Sequence, residues 1–229
     1  MTFFKHFTLV FLMLFSCVTL AQDTSNSNIE RLNLELTETI IQSELDLKRG
    51  DYSNAKINLD KALGIAQKTN DSTKQGIIHA KIGKLYLITN DFDKSLASLI
   101  EAATIQRKIE DQENLAITYS VQGELNSENG DYLKALEYLK SAKTIFEEKN
   151  LNNFTSEVTL NQGKINLDLK DFKTAKSILE NTIFLAGKNN QKDILAKALI
   201  YNSQALIELG NKDQSITAAA SIQNRFVNE

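Results

Sequence analysis

The chain has no proline and no tryptophan, one cysteine and two histidines among its 229 residues. Without proline, no pyrrolidine ring stops or kinks a helix, so helices must end by other means. The lone Cys17 rules out an intrachain disulfide, which leaves packing to stabilise the chain in an oxidising compartment. His79 is the single histidine beyond the first residues, and no glycine-rich phosphate loop is present. The usual nucleophile, metal and nucleotide constellations are therefore missing, and no cofactor or enzymatic activity is expected. There is no basic run either, and the formal net charge of −3 lacks the footprint of a nucleic-acid binder. What remains is a globular composition, 42% hydrophobic and 24% charged, with six tyrosines and eleven phenylalanines to fill a core.

The first residues read as an export signal over 1–21. Lys5 and His6 make a short basic start, Phe7 to Val18 is uncharged and apolar, and Thr19-Leu20-Ala21 offers small residues for cleavage before Gln22. The run is shorter than the roughly 20 residues of a membrane span. A second reading takes Leu14-Phe15-Ser16-Cys17 as a lipoprotein processing site that anchors the chain through Cys17. Either reading exports the protein, to the periplasm, the outside, or an envelope membrane surface. Residues 22–28 follow as a polar linker.

From residue 29 onward one signature recurs every forty residues: Gly50-Asp51-Tyr52, Asn90-Asp91-Phe92, Gly130-Asp131-Tyr132, Lys170-Asp171-Phe172 and, more weakly, Gly210-Asn211-Lys212. A fixed period of this size marks a solenoid, in which stacked units cover each other's apolar faces. Between signatures the apolar spacing is helical: Leu136, Leu139, Ala142 and Phe146 share one face. Each unit is thus expected to be a helix pair, over 29–70, 71–110, 111–150, 151–190 and 191–229. Glycine or asparagine at the turn accepts the left-handed conformation, and Asp51, Asp91, Asp131 and Asp171 are placed to cap the helices that follow. Ser72 with Gln75 predicts a capping box for the first helix of the second unit. Stacked repeats stand roughly 10 Å apart, so the aspartate column cannot share a metal ion. His79 takes the place of Tyr119 and Leu199 in their units, a packing position.

Gly83, Gly123 and Gly163 also lie forty apart, inside the first helices, with Ser43 and Ser203 in the outer copies. A glycine there costs about 0.5–1 kcal/mol against alanine, and close approach of the partner helix is the expected reason. Ala55, Ser95, Ala135, Ala175 and Ser215 hold the matching place in the second helices. Ala62, Ala102, Ala142, Thr182 and Ile222 follow where the next unit would press in.

These positions, with Leu59, Leu99, Leu139 and Leu179, resemble the tetratricopeptide repeat pattern through about residues 29–227. The departures are a period of forty rather than thirty-four and the missing proline, which point to the long-helix variety found in bacterial regulatory and sensor proteins. The resemblance implies an all-α, right-handed solenoid of about five antiparallel helix pairs. It also implies a concave surface lined by the first helices, where ligands meet residues next to the glycine position. Those residues here are Lys81, Lys84, Glu124, Asn161, Lys164, Tyr201 and Gln204, with Glu44 and Ile41 in the first unit. Charges alternate along this line, which suits an extended peptide or helix of mixed charge. The lysine and asparagine clamp that some family members use for a C-terminal carboxylate is not reproduced, because Ile40 and Glu44 stand at those places. The competing reading leaves these residues simply solvated. As groove residues they should not matter to the fold, so Lys84→Glu is expected to leave melting unchanged.

The function implied is a non-enzymatic adaptor that binds a protein or peptide in the cell envelope. Two rivals stand beside it: a stand-alone extracytoplasmic sensor component, and a purely structural envelope protein. Unit five ends on Ile216, Ile222 and Phe226, which suggests a weakly self-pairing C-terminal end.

Overall fold

A computed structural model describes residues 27–217. The leader, Cys17, and the apolar residues Ile222 and Phe226 of the self-pairing end lie outside the described residues. Helix α1 covers 27–49, so Ser27 and Asn28, expected in the linker, are already helical. Eight helices of 17 residues follow: α2 Tyr52–Lys68, α3 Ser72–Ile88, α4 Phe92–Lys108, α5 Gln112–Glu128, α6 Tyr132–Glu148, α7 Asn152–Asp168, α8 Phe172–Lys188 and α9 Lys192–Glu208. A helical stretch over 212–217 opens α10, and no strand occurs among the described residues.

Each of these eight helices starts twenty residues after the previous one. Each junction from α2 onward is the same three-residue turn, whose middle residue has positive φ, and between α1 and α2 the turn is Gly50-Asp51 with Gly50 at positive φ. Gly50, Gly130 and Gly210 (φ 76 to 81°), with Asn90 and Lys170, make the turns inside the units. Asn70, Glu110, Asn150 and Asn190 make identical turns between them, at φ 54 to 58°. After α2, the Asn70 N–H donates to the Gln67 carbonyl at 3.2 Å and the Asp71 N–H to the Ala66 carbonyl at 2.9 Å. That pair of bonds is the Schellman closure, and it satisfies carbonyls that the helix end would leave orphaned. Glu110 and Lys170 hold the left-handed conformation against a steric cost of roughly 1–2 kcal/mol per residue.

The capping aspartates mostly behave as expected. Asp51, Asp91 and Asp171 accept from the backbone N–H of Asn54, Lys94 and Thr174 at 3.1, 3.4 and 3.1 Å. Hydrogen bonds from these same partners hold the three carboxyls below the ordinary value. Their help to the fold is therefore present above the usual carboxylate range and is lost as pH falls through the lowered values. Asp131 differs, with no side-chain cap bond to α6. The Ser72–Gln75 box does not form. Asp71, brought to the helix start by the left-handed Asn70, accepts from the Lys74 N–H at 2.9 Å, and Gln75 Nε2 donates instead to the Ala66 carbonyl at 3.1 Å. Asp111 caps α5 in the same way, through the Asn114 N–H at 3.2 Å.

Packing divides the chain into two compact units that meet in sequence at Ile78 and His79, within α3. In the first, Leu36, Leu59, Ala62, Ile65 and Ile78 are buried. Asp46 is buried there too, accepting from Gln42 Nε2 and Asn58 Nδ2, each at 2.8 Å. In the second, consecutive helices from α4 to α9 pack on one another, and α7 also touches α5 and α9. One cluster gathers Ala116, Leu139, Ala142, Phe146, Val158 and Ile165, and another Leu160, Leu167, Ala175, Leu179, Ala198 and Ala205.

The repeated glycines lie against the repeated leucines. A Cβ built on Gly83, Gly123 or Gly163 would stand 2.6 Å from the Cγ of Leu99, Leu139 or Leu179. All three leucines are fully buried. Ser95, which holds the place of Ala135 and Ala175, uses its extra atom to donate from Oγ to the Gly83 carbonyl at 2.8 Å. Ala62, Ala102, Ala142 and Thr182 are fully buried, as their place at the next unit requires.

Candidate functional site

Helical periodicity decides which residues share the exposed face of α3, α5 and α7. Gly83, Gly123 and Gly163 face the second helices, so the residue after each glycine and those one turn to either side look away from that contact. A recess of about 310 Å³ opens there, lined by Lys84, Glu124, Asn161 and Lys164, among others. Four of the seven residues singled out in the sequence thus come together. Its apolar lining comes from Leu87, Ile88 and Ile165. Lys81, Tyr201 and Gln204 are not among the residues that line it.

The polar lining is internally paired. Lys84 forms an ion pair with Glu124, forty residues on. The other Glu124 oxygen, Oε1, accepts from Asn161 Nδ2 at 3.3 Å. Lys164 Nζ meets Glu128 Oε1 at 3.0 Å. Burial by itself would lower the Lys164 ammonium, but the hydrogen bond and charge of Glu128, with Tyr201 and Asp168 adding to it, hold it above the usual lysine value. Two lysines against two glutamates leave the recess close to neutral, instead of presenting a row of free alternating charges.

Glu157 stands apart. Its side chain reaches solvent, yet enough protein surrounds it that desolvation pushes its carboxyl up, with Glu124 adding to the shift and Lys84 and Lys197 opposing it. The raised carboxyl favours the protonated form in the folded protein. Its contribution is then fully present below the ordinary carboxylate range and is lost as pH rises through the raised value. Glu157→Gln should raise the melting temperature at pH 7 and match wild type below about pH 4, as melting curves at the two pH values would show. Equal melting at pH 7 would remove Glu157 from this electrostatic role.

The Lys84→Glu expectation needs correction on the same ground. Lys84 is half-buried, pairs with Glu124 and offsets Glu157, so the exchange would place a third carboxylate beside two others. Lys84→Gln is the informative variant. His79 is half-buried, and burial pushes its imidazole down, against the charge of Glu101.

Ser127 and Glu128 were missed as lining residues, and Glu157 as a charge felt by the Lys84–Glu124 pair. Glu128 and Glu157 lie four residues from Glu124 and Asn161, one helical turn along the same face, and that spacing was a usable signal. No helix among the described residues is long and apolar enough to cross a membrane.

Residues 77–148 match a family model described as tetratricopeptide repeat. Comparison with curated proteins returned no match. Among solved structures, BtubC (BKLC) from P. vanneervenii superposes with a TM-score of 0.74 at 17% identity, over 85% of this chain and 80% of that one. A Rap protein complexed with Competence and Sporulation Factor gives 0.75 at 16% identity, over 83% of this chain and 54% of that one, so the chain spans about half of its length. Nearly identical TPR-like repeats of a putative kinesin light chain from Podosopora anserina give 0.66 at 14% identity, over 85% and 97%. The fold is that of an all-α, tetratricopeptide-like solenoid.

Proposed function

We propose that the chain is a non-enzymatic scaffold of the long-helix variety, exported to the bacterial cell envelope, that binds a protein or peptide segment on the face of its first helices. The observation that carries this reading is the recess itself. Three successive first helices contribute Lys84, Glu124, Asn161 and Lys164 to one hollow with an apolar part, on a backbone held by regular packing. A preformed surface of this kind lowers the ordering cost of association. One protein of the same fold has been solved complexed with Competence and Sporulation Factor. Export rests on the leader-like residues 1–21.

The internal ion pairs shape the expected recognition. An incoming segment must trade its own charges or amides for those of Lys84–Glu124 and Lys164–Glu128, which favours a partner with both signs of charge. Such exchange gives specificity more than raw affinity. Affinity capture from an envelope extract with residues 22–229 should retain a partner that a Lys84→Gln/Lys164→Gln variant loses by about tenfold or more, while the variant stays folded. Equal capture by both would take binding away from this recess. A partner found only in cytosolic extract would contradict the envelope assignment.

A further inference from the structure

A second recess, of about 270 Å³, lies between α4, α5 and α6 and shares no residue with the first. Arg107 of α4, Tyr119 of α5, and Lys134, Glu137, Tyr138 and Ser141 of α6 line it. Arg107 is held in place by Tyr119. Its Nη2 and Nε donate to the phenol oxygen at 3.1 and 3.4 Å, and the guanidinium stands 5.7 Å from the ring centroid. The Tyr119 and Tyr138 rings are 5.8 Å apart and tilted by 42°. Neither Arg107 nor Lys134 forms an ion pair with a carboxylate among the described residues.

These facts select a ligand chemistry. One edge of the guanidinium grips the phenol, which leaves the other edge, a fork of two N–H groups, matched to an oxyanion. A guanidinium already fixed by a hydrogen bond and a ring loses little further freedom on binding. Lys134 adds a second positive charge and Glu137 a negative one, so the balance calls for a monoanion. The phenol rings form an apolar wall suited to a flat ring. The volume lies below the roughly 300–1,000 Å³ of drug-sized sites, which limits the occupant to about a single ring. We propose that this recess binds a small aromatic carboxylate, its acid group on Arg107 and Lys134 and its ring against Tyr119 and Tyr138. The site is independent of the groove and of any partner held there.

Benzoate is the probe, titrated into the purified protein while the Arg107 Nε–H and the tyrosine ring signals are followed by NMR. A saturable shift of Arg107 is expected, with acetate weaker than benzoate by about tenfold because it lacks the ring. Arg107→Gln, followed through the tyrosine signals, should lose about tenfold or more in affinity while melting like wild type, and Lys134→Gln severalfold. Lys84→Gln, which lies outside this recess, should leave benzoate binding unchanged. The proposal is overturned by the absence of a saturable shift, by undiminished binding in both Arg107→Gln and Lys134→Gln, by acetate binding as tightly as benzoate, or by loss of binding in Lys84→Gln.

Discussion

Gly123→Leu should destabilise the fold by about 3 kcal/mol, toward the upper end of the usual overpacking cost. A bare Cβ at this position already meets Leu139 Cγ at 2.6 Å and Cδ2 at 2.7 Å, with the Ala135 carbonyl at 3.3 Å. Leu139 is fully buried, so any shift it makes displaces the core around it. Even Gly123→Ala should destabilise, although alanine gains about 0.5–1 kcal/mol over glycine in a helix by propensity alone. The sign of that change separates contact from propensity. Adding Leu139→Ala to Gly123→Ala should recover part of the loss, because the neighbour that is struck has been removed. Thermal unfolding of Gly123→Ala at or above the wild-type temperature would refute the contact.

Phe146→Ala should cost about 3–5 kcal/mol, the range for emptying a large core site. Phe146 is 1% exposed and its ring stacks on Phe154, with centroids 5.1 Å apart and planes 22° from parallel. It belongs to the cluster that joins α5, α6 and α7 through Ala116, Leu139, Val158 and Ile165. Its carbonyl also accepts from the Leu151 N–H at 2.8 Å in the turn toward α7. Leu151 gives α7 no side-chain cap, so this junction rests on its backbone turn and on packing. Denaturant unfolding should show the loss, while Phe146→Leu, which keeps most of the volume, should lose far less. Equal losses for the two variants would mean that the ring itself, and not the filled space, is what counts.

The helix pairing was legible because it rests on residues with few substitutes. A left-handed turn favours glycine or asparagine, and a close helix contact favours glycine, so Gly50, Gly130, Gly83, Gly123 and Gly163 announce themselves. The identical turns between units were not read although Asn70, Asn150 and Asn190 carry the asparagine signal, because the pattern is uneven: Glu110 adopts positive φ without it, and the cap positions include Leu151 and Gln191. The face of the site was legible as columns along α3, α5 and α7. Which lysine meets which glutamate was not. Long side chains choose partners by rotamer across neighbouring helices, so Lys84 reaches Glu124 whereas Lys164 reaches Glu128. The helical spacing placed Glu157 on the face of Asn161, but the burial and the Glu124 charge that raise its carboxyl come from tertiary packing.

The claim that the first-helix recess is where a partner binds is best tested by site-specific photo-crosslinking in the organism's own cells. A photoreactive residue at Ser127, which lines the recess, should give a discrete covalent adduct with one protein or peptide, and the same residue at exposed Thr144 on α6 should give none. The Ser127 adduct should also fade when Lys84 and Lys164 are changed to glutamine in the same chain. An adduct from Thr144 alone, or one from Ser127 that ignores both lysine changes, would contradict the account.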